Sequence, residues 1–476
     1  MVPRVADNWE KTLMMTHLTT LDAGFLKAED VDPRVSLAIG GLAVIEGPRP
    51  IRMCWCRCLP SAFAPVRGSG NGCGYTFGPG CSRMGGRPGL RHQPARAAGC
   101  GAASGDDREL YRLVADVMAR RLDRDRPMWE LWVIEGLTDD RWAMLTKVHH
   151  CMADGIAASH ILAGLCDPSG HVARDSFADQ THAALKPELG ASNPLSLLSG
   201  LWTAPGAITS GIVRVVRGAG ELLAGLLTPA ESTLNGPLSD LRRFGGARVS
   251  LADLDLVCQT FGVTINDVAL AAITESYRNI LVARGQRPRP GSLRTLVPVS
   301  VRSTDAFGEI DNRVSAMLPN LPVEEEDPVQ RLRSVHERLS QAKTSGQPQA
   351  GNLFMSVANR IPFAMTARAV GLLMRLPQRG IVTVATNVPG PRHPLKVLGK
   401  RVVAIFPVPP LAMHLRTGVA MLSYADDLCF GILTDYDAVG DVDQLARGIE
   451  AAVARLVAIS KRRKARRTKG PLSLVV

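Results

Sequence analysis

The run Trp142 to Val148 ends in His149-His150-Cys151-Met152-Ala153-Asp154-Gly155, which places two imidazoles, a carboxylate and a glycine within seven residues. Trp142, Met144, Thr146 and Val148 alternate with Ala143, Leu145 and Lys147, and on a strand successive side chains point to opposite faces. One histidine can therefore face a cleft while the other packs inward. An imidazole with a reference pKa of about 6.5 is mostly unprotonated at neutral pH and suits general-base work. Gly155 permits close backbone approach, and Asp154, near the start of the next helix, can cap it or hold a cation. Cys151 has the chemistry of a covalent nucleophile, but it follows the base candidate directly and should point away from the same cleft. Two blander readings compete: a satisfied structural His pair, and two ligands plus a carboxylate of a metal site. No H-E-x-x-H or second His/carboxylate cluster supports a metal.

The elements that must position this motif follow from periodicity. Thr16 through Leu21-Asp22-Ala23-Gly24-Phe25-Leu26 reads as a short loop feeding the apolar strand Ala38 to Ile45. Leu110, Leu113, Val114, Val117, Met118 and Leu122 recur at helical spacing, predicting a helix over 107–122. A β-rich run at 128–135 and the strand before the histidines flank Thr138-Asp139-Asp140, a hairpin signal. Ser, Pro and Gly between 167 and 210 mark a linker with short amphipathic pieces. Beyond Asn235 the pattern predicts helices at 266–279, 328–343, 352–376 and 442–459, and strands at 293–301, 381–386, 402–408, 417–424 and 428–434. Helices alternating with strands in both halves argue for α/β layers repeated twice. The division is an N-terminal lobe over 1–185, a linker over 186–234, a C-terminal lobe over 235–460 and a basic tail over 461–476.

The chain has 476 residues, 46% hydrophobic and 21% charged, long enough for two or more domain-sized units and ordinary in composition. The net charge of +12 is local. Eight arginines and no acid over 49–105 carry +8, and Lys461 to Lys469 carries +7. The remainder is therefore −3, which argues against a nucleic-acid-binding face. The N-terminus lacks a secretory h-region and no run is long and apolar enough for a spanning helix, so a cytoplasmic protein, peripheral to a membrane or lipid droplet, is expected.

Residues 50–105 stand apart. Six of the ten cysteines lie there, as Cys54, Cys56, Cys58, Cys73, Cys81 and Cys100, in spacings that fit neither zinc pairs nor a cytoplasmic disulfide framework. Twelve glycines fall between 68 and 105, without apolar periodicity. The stretch reads as translated from a shifted frame, with irregular backbone and no helix or sheet expected.

The motif does not stand alone. Leu21 to Leu26, Leu122-Asp123-Arg124-Asp125-Arg126-Pro127-Met128-Trp129-Glu130, Asn235-Gly236-Pro237, Thr264-Ile265-Asn266-Asp267-Val268, Val297 to Arg302, Asn387-Val388-Pro389-Gly390-Pro391 and Ser423-Tyr424 occur with it in one order. Together they resemble the bacterial wax ester synthase/acyl-CoA:diacylglycerol acyltransferase family, within the superfamily of condensation domains and chloramphenicol acetyltransferase. The resemblance covers about 16–48 and 106–459, departing in Met128 for the family's leucine and in the whole of 50–105.

The resemblance implies two chloramphenicol-acetyltransferase-like lobes with the active site in the cleft between them. It implies transfer of an acyl group from acyl-CoA, a substrate and not a cofactor, to diacylglycerol or a long-chain alcohol. His150 would be the general base, His149 a supporting residue and Asp154 an orienter paired with an arginine, Arg302 being the candidate. Gly155 would act through its backbone, and Asn266 and Asp267 would support the site. No metal or other cofactor is expected. The basic tail would meet an anionic membrane or lipid-droplet surface. Competing readings are a catalytically impaired lipid-surface protein and an acyltransferase with another acceptor or a carrier-protein thioester donor.

Overall fold

The computed structural model describes residues 20–48, 90–94, 105–126, 128–167, scattered positions from 217 to 230, 232–300, 314–345, 347, 380–412, 414–440 and 442–468. Arg302, the run 352–376, most of 50–105 and of the linker, and the last eight residues lie outside them.

The first sheet is built around the strand that delivers the histidines. β1 (Ala38–Ile45) runs antiparallel to β4 (Arg141–His149), with Ala38 opposite His149 and Ile45 opposite Trp142. β3 (Trp129–Leu137) pairs with the other edge of β4, Trp129 opposite Val148. Between them Asp139 and Asp140 adopt φ of 60° and 55°, the left-handed pair that tight hairpin turns require. Beyond β3 lies β2 (Leu90–Pro94), parallel to it with Leu90 opposite Leu131. This strand corrects the expectation of irregular backbone for that part of 50–105. An edge strand can be recruited through backbone hydrogen bonds alone, without the alternating side chains by which sequence reveals it.

Thr20–Val31 is helix α1, where the sequence suggested a loop. Gly24 is a poor helix former, but Phe25 and Glu29 on one face both engage the end of β4, and tertiary contacts override propensity. Helix α2 (Asp107–Ala119) starts on Asp106, whose carboxylate accepts from the Glu109 N–H at 2.9 Å, and buries Leu110, Val114, Val117 and Met118. Its C-terminal carbonyls are met from below. The buried Lys147 ammonium donates to the Val117 oxygen at 2.7 Å and to the Arg120 oxygen. Replacing Lys147 with Met is expected to destabilise the protein by about 1–3 kcal/mol in urea unfolding, because both carbonyls lose a buried donor. Unchanged stability would mean that other donors replace it.

The C-terminal half builds a second sheet, in the order β5 (Arg242–Ser250), β12 (Asp427–Asp435), β11 (Thr417–Tyr424), β8 (Thr383–Val388), β6 (Thr295–Ser300), β7 (Val314–Met317). Helices α4 (Leu251–Phe261), α5 (Ile265–Ala283), α6 (Pro328–Thr344) and α7 (Val442–Thr468) accompany it, and residues from all four join the second core. Among the described residues no single helix is long and apolar enough to cross a membrane.

Two expected boundaries are corrected. β9 (Lys396–Val397) and β10 (Lys400–Val408) belong by sequence to the C-terminal lobe, yet β10 pairs with β1 and completes the first sheet. The lobes are thus spatial units and not consecutive segments. The basic residues from Lys461 to Arg467 are not a separate tail either, since α7 continues without a break to Thr468. Where β10 passes over β12, a Cβ on Gly431 would stand 1.6 Å from the Pro407 carbonyl oxygen, so only glycine fits the crossing.

Candidate active site

β4 ends in a tight turn that leads into α3 (Gly155–Gly164). The His149 N–H donates to the Met128 oxygen and the His150 N–H to the Leu37 oxygen, both at 3.0 Å, while Met152 N–H donates back to His149 at 2.9 Å. The alternation expected from sequence is realised: His149 is 1% exposed, and His150 is half-buried with its ring stacked on Phe25, centroids 4.4 Å apart and planes at 28°.

His149 is enclosed by groups that sequence reading did not single out. Its Nε2 lies 3.3 Å from Glu29 Oε1, ion-pair distance though off the line of a hydrogen bond. Burial alone would raise the Glu29 pKa. Contacts from His149, the Leu37 N–H at 2.7 Å and Arg124 at 3.2 Å outweigh it and hold the carboxyl at about 2. Arg124 also donates to Asp30 at 2.7 Å and to the Leu26 oxygen at 2.9 Å, so the two landmarks at 21–26 and 122–130 are joined through one guanidinium. Cys151 is buried, its Sγ 3.0 Å from His149 Nδ1, which turns it toward the inner histidine and away from the His150 face.

Asp154 is buried and caps α3, accepting from the Ala157 N–H at 2.8 Å. Its expected arginine partner, Arg302, lies outside the described residues. Gly155 meets the other lobe: a Cβ there would stand 2.8 Å from Val388 Cγ2, within the Asn387 to Pro391 landmark. That landmark is itself anchored, since the Gly390 N–H donates to Ser423 Oγ at 3.0 Å and Tyr424 Oη ties Leu395 to Val402. Trp129 packs with Met152, Ala153 and Ala157 against the turn.

Asn266 and Asp267 sit at the start of α5 in the second lobe. The N-cap is Thr264, and Asp267 completes a capping box with it while accepting from or pairing with His336 Nδ1 at 2.8 Å. The described partners of Asp267 are therefore Thr264 and His336, not His149 or His150, while among the described residues Asn266 Oδ1 is buried without a hydrogen-bond partner. Among the described residues no group of three His, Cys, Asp or Glu side chains could hold a metal ion.

Comparison with known proteins gives this arrangement its family. The wax ester synthase/diacylglycerol acyltransferase catalytic domain matches residues 100–269, and the C-terminal domain of the same family matches 310–456. The chain belongs to the wax ester synthase/diacylglycerol acyltransferase family. A Mycobacterium tuberculosis protein named as a probable diacylglycerol O-acyltransferase is 59% identical over 97% of this chain and its own full length. A second protein of that organism, named for the same activity, is 41% identical over 94% of this chain and 92% of itself.

Solved structures agree on the fold. The wax ester synthase/diacylglycerol acyltransferase from Marinobacter aquaeolei VT8 superposes with a TM-score of 0.61 at 21% identity, over 93% of this chain and 99% of that one. The trichothecene 15-O-acetyltransferase TRI3 from Fusarium sporotrichioides gives 0.56 at 12% identity, over 93% and 94%. The expected two-lobed acyltransferase architecture is thus the one observed, with Gly155 after the histidines meeting Val388 of the second sheet.

Proposed function

We propose that this family member transfers a long-chain acyl group from acyl-CoA to the hydroxyl of diacylglycerol, giving triacylglycerol, and to long-chain alcohols, giving wax esters. The observation that carries this reading is the division between the two histidines, one enclosed by Glu29 and Cys151 and the other half-buried with its ring on Phe25, in the turn whose Gly155 meets Val388 of the second sheet. His150 takes the acceptor's hydroxyl proton as the oxygen attacks the thioester carbonyl. The C–S bond then breaks, and the proton passes from His150 to the departing CoA thiolate, so the base returns to its starting form. Positioned proton transfer of this kind contributes roughly 10² to 10⁴-fold. Asp154 holds the turn by capping α3, Gly155 allows the second lobe to approach, and Arg302 is the candidate partner of Asp154. Asn266 and Asp267 support the second lobe's face of the cleft.

The assay is CoA release and ester formation from palmitoyl-CoA with either diolein or hexadecanol. Ester with diolein supports the reading and the hexadecanol rate sets the second acceptor; no ester with either would sink it. A catalytically impaired chain is the second reading, favoured by residues 50–105, which lie almost wholly ahead of the catalytic-domain match beginning at residue 100. Restoring a family-like frame there, with a large gain in activity, would establish it.

The enzyme works at a lipid surface, on substrates that are themselves lipids, and the end of α7 supplies the contact. Lys461, Arg462, Arg463, Lys464 and Arg466 are exposed on continuous helix. Each basic residue near an anionic surface is worth roughly 1 kcal/mol. Changing Lys461, Arg462, Lys464 and Arg466 together to Gln is expected to abolish sedimentation with phosphatidylglycerol vesicles, and binding of the parent should fall as salt rises. Binding that survives the substitutions would place the lipid contact elsewhere.

A further inference from the structure

Helix α1 lies outside the catalytic-domain match, yet it touches both histidines. Phe25 and Glu29 are four residues apart, hence on one face of the helix. Phe25 stacks on the His150 ring and Glu29 stands against His149 Nε2. We propose that α1 is the positioning element of the general base, with Phe25 orienting His150 and Glu29 orienting His149. This rests on the reading of His150 as the base.

The proton arrangement around His149 makes the case. The Cys151 N–H donates to Nδ1 at 3.2 Å, so Nδ1 is the acceptor nitrogen and the ring proton sits on Nε2, which stands 3.3 Å from Glu29 Oε1 though off the line of a hydrogen bond. Glu29 is itself held from three sides by His149, the Leu37 N–H and Arg124. The imidazole of His149, the residue before His150, is thus tied to Cys151, the residue after it, and its far side stands against Glu29 of α1. His150 lies between these ties, with its own N–H committed to Leu37 and its ring laid on Phe25. A reacting group displaced by about 1 Å can lose 10²-fold in rate, so fixing this ring acts on the chemical step and not on substrate affinity.

The test uses the full-length protein and four variants: Glu29→Met, which keeps volume without an acceptor, Glu29→Asp, Phe25→Leu and His150→Ala. Glu29→Met and Phe25→Leu should each lower kcat by roughly 10 to 100-fold, with KM for palmitoyl-CoA and diolein changed by less than about twofold. Glu29→Asp, which retains the carboxylate, should recover part of the loss. A purely structural role would instead lower the melting temperature and the folded fraction while kcat per folded molecule stayed at the parent value, and that result would overturn the proposal. If Glu29→Met does not fold, Phe25→Leu alone decides, because it keeps an apolar side chain. Parent-like activity in His150→Ala would remove the base assignment. A dead His150→Ala beside fully active Phe25→Leu and folded Glu29→Met would remove the positioning role only.

Discussion

His150→Ala should lower kcat/KM by roughly 10² to 10⁴-fold, the largest kinetic effect of any single substitution in this protein, because it removes the only proton acceptor the reaction is assigned. Steady-state turnover of palmitoyl-CoA and diolein measures it, with protein stability checked in parallel. His150 is half-buried with its ring stacked on Phe25, so its loss should lower the melting temperature less than loss of the fully buried His149. His149→Ala is the contrast. It strips a partner from the buried Glu29 carboxylate and from Cys151, so it should cost stability as well as rate, with the rate loss smaller than for His150. Equal kinetic losses from the two would show that the roles are wrongly divided.

The largest effect on stability should come from Gly431→Ala. The added methyl would lie 1.6 Å from the Pro407 oxygen and 2.8 Å from its carbonyl carbon, both backbone atoms of β10. A flexible side chain could swing aside, but a strand paired with β1 along its length cannot. Overpacking of this kind commonly costs 1–3 kcal/mol, and here about 3 kcal/mol or more is expected, since relief requires the two sheets to part. Chemical denaturation measures it. A loss under about 1 kcal/mol would mean that β10 can shift without disturbing the rest.

Much of this structure was legible in the residues. The strands at 417–424 and 428–434 and the helix over 328–343 were legible, and the structure adds that Asp327 caps that helix ahead of Pro328. The division between His149 and His150 followed from strand alternation alone. What escaped has a common physical cause, namely contacts between residues far apart in sequence. Glu29 on a helix reads as a solvated charge, and nothing local tells that a buried imidazole and the Leu37 N–H await it. Gly24 disguised α1 as a loop. The helix Leu251–Phe261 went unread because Leu254 and Val257 are its only buried apolar positions, too few for a period. The capping box of Asp267 with Thr264 could be read from sequence, but its pairing with His336, 69 residues away, could not.

The pairing of β10 with β1 has a consequence for how the protein comes into being. β1, β3 and β4 leave the ribosome early, whereas Lys400–Val408 is synthesised near the end. At ~5–20 residues per second, the nascent first sheet waits tens of seconds with the edge of β1 unpaired. An open strand edge is a template for pairing with the wrong chain, and Ala38–Ile45 is apolar throughout. The waiting sheet already contains the finished histidine motif, but the Val388 surface that closes on Gly155 has not yet been made. The first sheet is therefore completed only late in synthesis, and until then the open edge of β1 is exposed to mispairing.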